Sequence, residues 1–352
     1  MSHYEQRLEH DLTDIRSSIS RMGEAVQLNL ANSISALFSK NRDLAYNTIL
    51  GDHPVNREME ALNLKCHRFI AKHLPSAGHL RFISSSLRII ILLERIGDYA
   101  VTISKEAAHV RRGLKGQFRD DAAKMADDAQ KMLKKALGAY EDQNAEKALA
   151  TIKLAKKVDR KFFLAYSDLV EEDDDRLSTS ELFSRLVVIR QIERVSDQAK
   201  NLCEEIVFSE TGKTKKRRKY RLLFLDEKDD SATQLAVAIC RKYHGDRIKA
   251  FSAGSNPSSE LSQATKDLCD ERGLDTSGLD PSSVDTESEY WANADVFVTI
   301  NFNVDDYGGS LPYDAAAVKW DLSDTDSAES VFHDLSDKVD DLVHLVRGPV
   351  TD

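Results

Sequence analysis

The chain is poor in cysteine: only Cys66, Cys203, Cys240 and Cys269 occur, and no two form a CxxC pair. No disulfide framework or zinc-type cysteine spacing follows, and reduced thiols in a cytoplasmic protein are the expectation. No run of about 18 uncharged apolar residues exists, which excludes a membrane-spanning helix of ordinary length. The opening stretch MSHYEQRLEHDL is charged from its start and lacks the apolar segment of a signal peptide. Basic residues are outnumbered, 49 Lys and Arg against 59 Asp and Glu, so the net charge of -10 argues against general nucleic-acid binding. Proline is nearly missing from residues 1 to 210, where only Pro54 and Pro75 occur beside seven scattered glycines.

What fills that proline-poor region is helix-forming sequence. Apolar residues recur at spacings of three and four, as in LTDIRSSISRMGEAVQLNLANSISALF, which is the helical period. Breaks near Lys40-Asn41, His73-Pro75, Arg112-Gly116, Glu141-Asn144 and Glu172-Arg176 predict six long helices of about 25 to 35 residues. Short connections between them predict antiparallel neighbours in a bundle. A chain of 352 residues exceeds one typical domain, and two or three are expected.

Two octets recur within this region, LERIGDYA (Leu93 to Ala100) and IERVSDQA (Ile192 to Ala199). Asp98 and Asp197 stand 99 residues apart. Upstream, PVNRE (Pro54 to Glu58) matches KVDRK (Lys157 to Lys161) at an offset of 103, so the copies differ by four residues in length. A repeat of this size reads as two duplicated three-helix units rather than a solenoid. Expected boundaries are residues 1 to 113 and 114 to 211.

Each octet places Glu and Asp four apart, on one helix face, inside an apolar run. Two such carboxylates repel one another, and burial sharpens the penalty. Two remedies exist. Adjacent arginines, Arg95 and Arg194 or Arg81, would form ion pairs. Alternatively a hard cation would gather the carboxylate oxygens of this helix with Asp52 and Asn56, or Asp159, from the preceding one.

The stretches GDHPVNREME and CHRFIAKHLPSAGHLRFISSSLRIIILLERIGDYA resemble the PhoU family of phosphate-uptake regulators, over roughly residues 3 to 210. The resemblance implies two tandem three-helix repeats in a cytoplasmic, often dimeric regulator. It further implies that the transporter ATPase and a sensor histidine kinase are partners, and that acidic motifs bind metal (Fe, Zn, Mn or Mg). Position by position, the implied ligands are Asp52, Glu94 and Asp98 in the first repeat, and Asp159, Glu193 and Asp197 in the second. Each copy departs from the DxxxD pattern: Asn56 replaces its second acid in one, Ala155 its first acid in the other.

After the basic stretch GKTKKRRKYR (residues 212 to 221, seven Lys or Arg among ten) the pattern changes. RLLFLD, IKAFSAG, ADVFVTIN and AAVKWDL read as short buried strands separated by helical segments. The fold class expected is therefore an all-α six-helix double bundle followed, over residues 222 to 352, by a three-layer α/β domain with a parallel four-stranded sheet. The basic stretch reads as a solvated spacer or as a contact, through residues 213 to 221, with anionic lipid or an acidic partner.

The order RLLFL, FSAGSNPSSELSQATKDLCDERGLDTSGL, ADVFVTIN and a Trp-Asp segment resembles low-molecular-weight tyrosine phosphatases and related arsenate reductases. That family needs a Cys-x5-Arg-Ser loop. Here Asp226 stands at the cysteine, Ala232 at the arginine and Thr233 at the serine, while Asp324 keeps the general-acid position. Asp226, Glu227, Asp229 and Asp230 put negative charge where a phosphate would sit, each unit-charge pair costing on the order of 4 kcal/mol at about 4 Å. The expectation is a catalytically inactive phosphatase-like domain. The competing readings are a phosphatase or arsenate reductase, an aspartate-based phosphotransfer domain using Asp226, and a helical adaptor unconnected with phosphate.

Overall fold

The computed structural model describes residues 3–109, 113–171, 178–214, 218–303, 311–312, 315–322 and 328–347. The chain forms two compact units, Met1–Lys215 and Lys216–Asp352. Two of the expected features, the break at residues 172 to 176 and Asp324, lie outside the described residues, as does part of the basic stretch.

Among the described residues seven helices build the first unit: α1 (His3–Ser39), α2 (Arg42–His73), α3 (Ala77–His109), α4 (Gly116–Glu141), α5 (Ala145–Ile152), α6 (Ala155–Glu171) and α7 (Thr179–Thr211). Their ends follow local chemistry. Asn41 and Asn144 accept the backbone N–H groups of Leu44 and Lys147, and Ser178 with Glu181 forms a reciprocal capping box at α7. Gly212 closes α7 at φ 70°, where a side chain would be strained. The expected fifth helix is divided at Lys153 and Leu154, so seven helices stand where the periodicity predicted six. No proline or glycine lies there, and no local signal announces the break.

One apolar core runs through all seven helices, built from α1 (Ile15, Ile19), α3 (Ile90, Leu93), α4 (Met132, Leu133) and α7 (Ile192, Val195), among others. In both octets the Leu or Ile before the acid, and the Ile or Val two places after it, belong to this core. The Glu and Asp are thereby set at the edge of the apolar stripe. None of the described helices is long and apolar enough to cross a membrane.

The second unit has a parallel sheet in the order β2-β1-β3-β4, with β1 (Tyr220–Asp226), β2 (Ile248–Gly254), β3 (Val296–Ile300) and β4 (Ala316–Trp320). Alternation along β1 sends Leu222 and Phe224 to one face, against α8 (Ala232–His244), α9 (Gln263–Arg272) and α11 (Ala328–Arg347). Leu223 and Leu225 face the other way, against Trp291 on the four-residue α10 (Glu289–Ala292), which the periodicity had not marked. Strand order reverses between β1 and β3, so the loop after β1 sits at the switch point where parallel sheets ordinarily receive ligands.

Candidate functional site

In the first repeat, Glu94 and Asp98 project from α3 towards Asp52 on α2. Asp52 is buried at 7% exposure, Glu94 is half-buried and Asp98 exposed. Asn56 donates from Nδ2 to Asp52 Oδ2 at 2.8 Å, while Asp52 Oδ1 is sealed from solvent without a hydrogen-bond partner. Gly97 explains how that carboxylate fits. A Cβ at position 97 would lie 2.7 Å from Asp52 Oδ1. The glycine of the ERIGD octet is thus the space the acid occupies.

The carboxyl groups of this set feel one another. Burial raises the Asp52 pKa first and the charge of Asp98 raises it further, against the hydrogen bond from Asn56. Glu94 is likewise raised, by burial and then by Asp98 and Asp52, with Arg95 opposing. Among the described residues no Lys, Arg or His comes within 4.0 Å of these three carboxylates, so the arginine remedy is not used here.

In the second repeat, Asp159 on α6 meets Glu193 and Asp197 on α7. One carboxylate oxygen from each lies within 4.8 Å of the other two, the one group of three metal-competent side chains this close among the described residues. Glu193 is buried, and its Oε2 has an Arg190 nitrogen at 3.2 Å and Arg194 Nε at 4.0 Å without a well-directed hydrogen bond. Its pKa is pushed up to about 7, by burial first and then by Asp197, against Arg190 and Arg194. Of the arginines expected as counter-ions, Arg194 is present at the limit of contact; Arg190, one turn earlier, is closer and was not anticipated. A charge three residues before the acid is the signal that could have found it.

The copies also differ at both ends of the Gly97 contact. Ala155 takes the place of Asp52, and Ser196 takes the place of Gly97. Ser196 is fully buried, its hydroxyl 3.3 Å from Met132 Sδ. With no carboxylate to admit, the second copy has no need of a glycine.

The PhoU domain profile matches residues 19–107 and again 122–206. The phosphate-specific transport system accessory protein PhoU of Escherichia coli is 30% identical over 212 residues, which are 60% of this chain and 88% of that protein. The chain belongs to the PhoU family. Its repeats are also similar to the PhoU homolog of Pseudomonas aeruginosa, at 28% identity over 60% of this chain and 88% of the relative. Among solved structures, PhoU from Pseudomonas aeruginosa superposes at TM-score 0.56 with 28% identity, covering 58% of this chain and 99% of that one. PhoU from Streptococcus pneumoniae gives the same TM-score at 26% identity, over 59% and 99%. The two profile matches coincide with the two acidic sets, and the PhoU homology ends before the α/β unit begins.

In the α/β unit, the loop after β1 folds back on itself. Asp226 Oδ1 accepts the N–H of Asp229 at 2.6 Å, and Asp226 Oδ2 has the Thr233 hydroxyl at 3.1 Å. The same hydroxyl lies 2.9 Å from Asp229 Oδ1, and Ser282 N donates to Asp229 Oδ2 at 2.9 Å. Asp229 is fully buried at φ 49°, while Glu227 and Lys228 are exposed and Asp230 accepts the Ser258 hydroxyl. Of the four acids expected to crowd one site, two turn inward. Gly254 permits this, since a Cβ there would meet Glu227 O at 2.7 Å and Asp229 N at 3.0 Å. The loop N–H groups at the mouth of α8 are directed to a carboxylate of the same loop.

Proposed function

We propose that the chain is a cytoplasmic regulator of phosphate uptake that acts by binding other proteins, with metal-associated PhoU repeats and a catalytically inert C-terminal domain. Family membership supports the first part, since the relatives named above are accessory proteins of phosphate-specific transport. By that likeness a transporter ATPase and a sensor histidine kinase are its partners, and the working form is a homodimer. The basic stretch at residues 213 to 221 is the part suited to touching an anionic surface.

The metal reading rests on one observation above the rest: Asp52 Oδ1 is buried, without a hydrogen-bond partner, among carboxylates that no cation within 4.0 Å neutralises. An all-carboxylate set suits a hard cation. Asp52, Glu94 and Asp98 would hold one ion and Asp159, Glu193 and Asp197 another. A bound ion would supply the positive charge that makes these burials tolerable. Elemental analysis of protein purified without chelator checks this. Glu94→Gln/Asp98→Asn and Glu193→Gln/Asp197→Asn should each lower metal content, with affinity at the altered set down at least about tenfold. Metal content equal to wild type in both variants would end the metal reading.

The inert C-terminal domain is supported by what occupies its loop. The Asp226 carboxylate takes hydrogen bonds that a bound oxyanion would need, and no cysteine lies in the loop: Cys240 is buried inside α8. The arginine position holds Ala232. We expect no hydrolysis of p-nitrophenyl phosphate above background, and no difference between wild type and Asp226→Asn. Turnover that Asp226→Asn abolishes would establish the enzymatic alternative.

A further inference from the structure

The α/β unit carries its charge unevenly. Residues 216 to 352 hold 27 Asp and Glu against 15 Lys and Arg. Cations nevertheless gather at one end of the sheet, where the parallel strands begin and α8 and α11 finish. Arg218, Lys219 and Arg221 lead into β1, Arg247 leads into β2, and Arg347 ends α11. Contacts tie them to one place. Arg218 pairs with Asp295 at the start of β3, and Lys219 donates to Gly245 O after α8. Arg347 lies over the Tyr220 ring at 4.8 Å and donates to Arg247 O at 3.4 Å. Arg218 and Lys219 are exposed, and the other three are half-buried. The acids at this end are Asp295 and Asp246, the latter 3.6 Å from Arg247; Asp340 and Asp341 lie further back along α11.

The same end shows apolar side chains to solvent. Of the three large apolar residues exposed among the described residues of this unit, two are here: Tyr243 in the last turn of α8, 53% exposed, and Leu345 in the last turn of α11, 83% exposed. Cations at helix C-termini answer the helix dipole, which accounts for Arg347 and for Arg241 and Lys242 of α8. A dipole gives no reason for an exposed leucine, or for Arg218 and Lys219 ahead of a strand. A polyanion such as nucleic acid would engage the cations and leave Leu345 in water. A bilayer with anionic headgroups uses both. The charges sit among the headgroups, while Leu345 and the Tyr243 ring reach the acyl boundary and the Tyr243 hydroxyl stays wet.

We propose that the α/β unit docks on an anionic lipid surface by the end at which its strands begin, with Leu345 and Tyr243 inserted and the five cations among the headgroups. The proposal rests on the reading of the basic stretch given above and extends it. The stretch supplies Arg218, Lys219 and Arg221; the folded unit supplies Arg247, Arg347 and both apolar tips. The acidic excess of the rest of the unit turns this end towards a negative surface and the remainder away from it. Asp246, exposed beside Arg247, limits the affinity.

Sedimentation of the full-length chain with vesicles of phosphatidylcholine alone, or of phosphatidylcholine and phosphatidylserine in equal parts, tests it. Binding to the mixed vesicles only, weakening as salt rises, is expected. Leu345→Ser/Tyr243→Ser should weaken it at least about fivefold. Asp246→Asn should tighten it about fivefold, near the worth of one charge at such a surface. All three positions are exposed, so these variants keep the fold. Lys228→Gln, exposed beyond the opposite end of β1, should change nothing. Lys213→Gln probes the basic stretch outside this end. Unaltered binding in Leu345→Ser/Tyr243→Ser or in Asp246→Asn would overturn the proposal, and the reading of the stretch would stand if Lys213→Gln still weakened it. No binding to the mixed vesicles would overturn both. Retention on a polyglutamate matrix without vesicle binding would assign this end to an acidic protein and overturn the proposal as well.

Discussion

Asp229→Asn should raise the stability of the α/β unit at neutral pH by on the order of 3 kcal/mol and leave it nearly unchanged near pH 4. The reason is a missing proton. Thr233 has one hydroxyl hydrogen but stands 3.1 Å from Asp226 Oδ2 and 2.9 Å from Asp229 Oδ1. With both acids ionised, one of those contacts sets a hydroxyl oxygen against a carboxylate. Burial pushes the Asp229 pKa up to about 6 from 3.8, with the charge of Asp226 adding to it and hydrogen bonds from Ser282, Ser252 and Thr233 opposing. The groups facing Asp229 are Asp226 of β1, Thr233 of α8, and Ser252 and Ser282; among the described residues none is cationic.

The sign follows from which state holds the proton. Between pH 3.8 and about 6 the folded chain retains a proton that the unfolded chain releases, so stability falls as pH rises through that window. A shift of that size is worth on the order of 3 kcal/mol, and the full penalty stands above about pH 6. An asparagine removes it. Its Nδ2 donates to Thr233 Oγ1, Thr233 donates to Asp226, and its oxygen still accepts from Ser282. Asparagine also tolerates the left-handed backbone at this position. Both tryptophans of the chain, Trp291 and Trp320, are buried in this unit, so tryptophan fluorescence during urea unfolding reports it alone. A variant no more stable than wild type at pH 7 would refute the shared-proton account.

Gly97→Ser should destabilise the first unit by about 1–3 kcal/mol, the usual cost of forcing atoms into a packed interior. The new Cβ would stand 2.7 Å from Asp52 Oδ1, and Asp52 is buried with little room to retreat. Adding Asp52→Ala should restore most of the loss, because the pair then carries the residues Ala155 and Ser196 carry in the second repeat. The measurement is helical circular dichroism through urea unfolding, with the double variant compared against both singles. A double variant as unstable as Gly97→Ser alone would show that the glycine serves something other than Asp52.

Much of this arrangement was legible from spacing. The 3.6-residue period marked the long helices, the alternating pattern marked the parallel sheet, and the octets marked which faces carry acids. The break at Lys153 and Leu154 was not legible, because it has no proline, glycine or capping signature of its own. Arg190, not the adjacent Arg194, is the nearer cation to Glu193, because residues three apart on a helix share a face and adjacent ones do not. The loop after β1 was read as four acids around one centre. The backbone at Asp229 instead turns left-handed, burying Asp229, leaving Asp226 half-buried and sending Glu227 outward, which Gly254 on another strand leaves room for.

The sequence by itself determined the repeat, the helix faces that bear Glu94, Asp98, Glu193 and Asp197, and that the loop after β1 holds neither cysteine nor arginine. Those are properties of residue identity and periodicity, which act over a few residues. Only the tertiary structure decided that Asp52 is buried against Gly97, that Asp159 closes on Glu193 and Asp197, and that Asp226 occupies its own loop. Each of these depends on the distance between elements far apart in the chain, and that distance is set by packing the whole core.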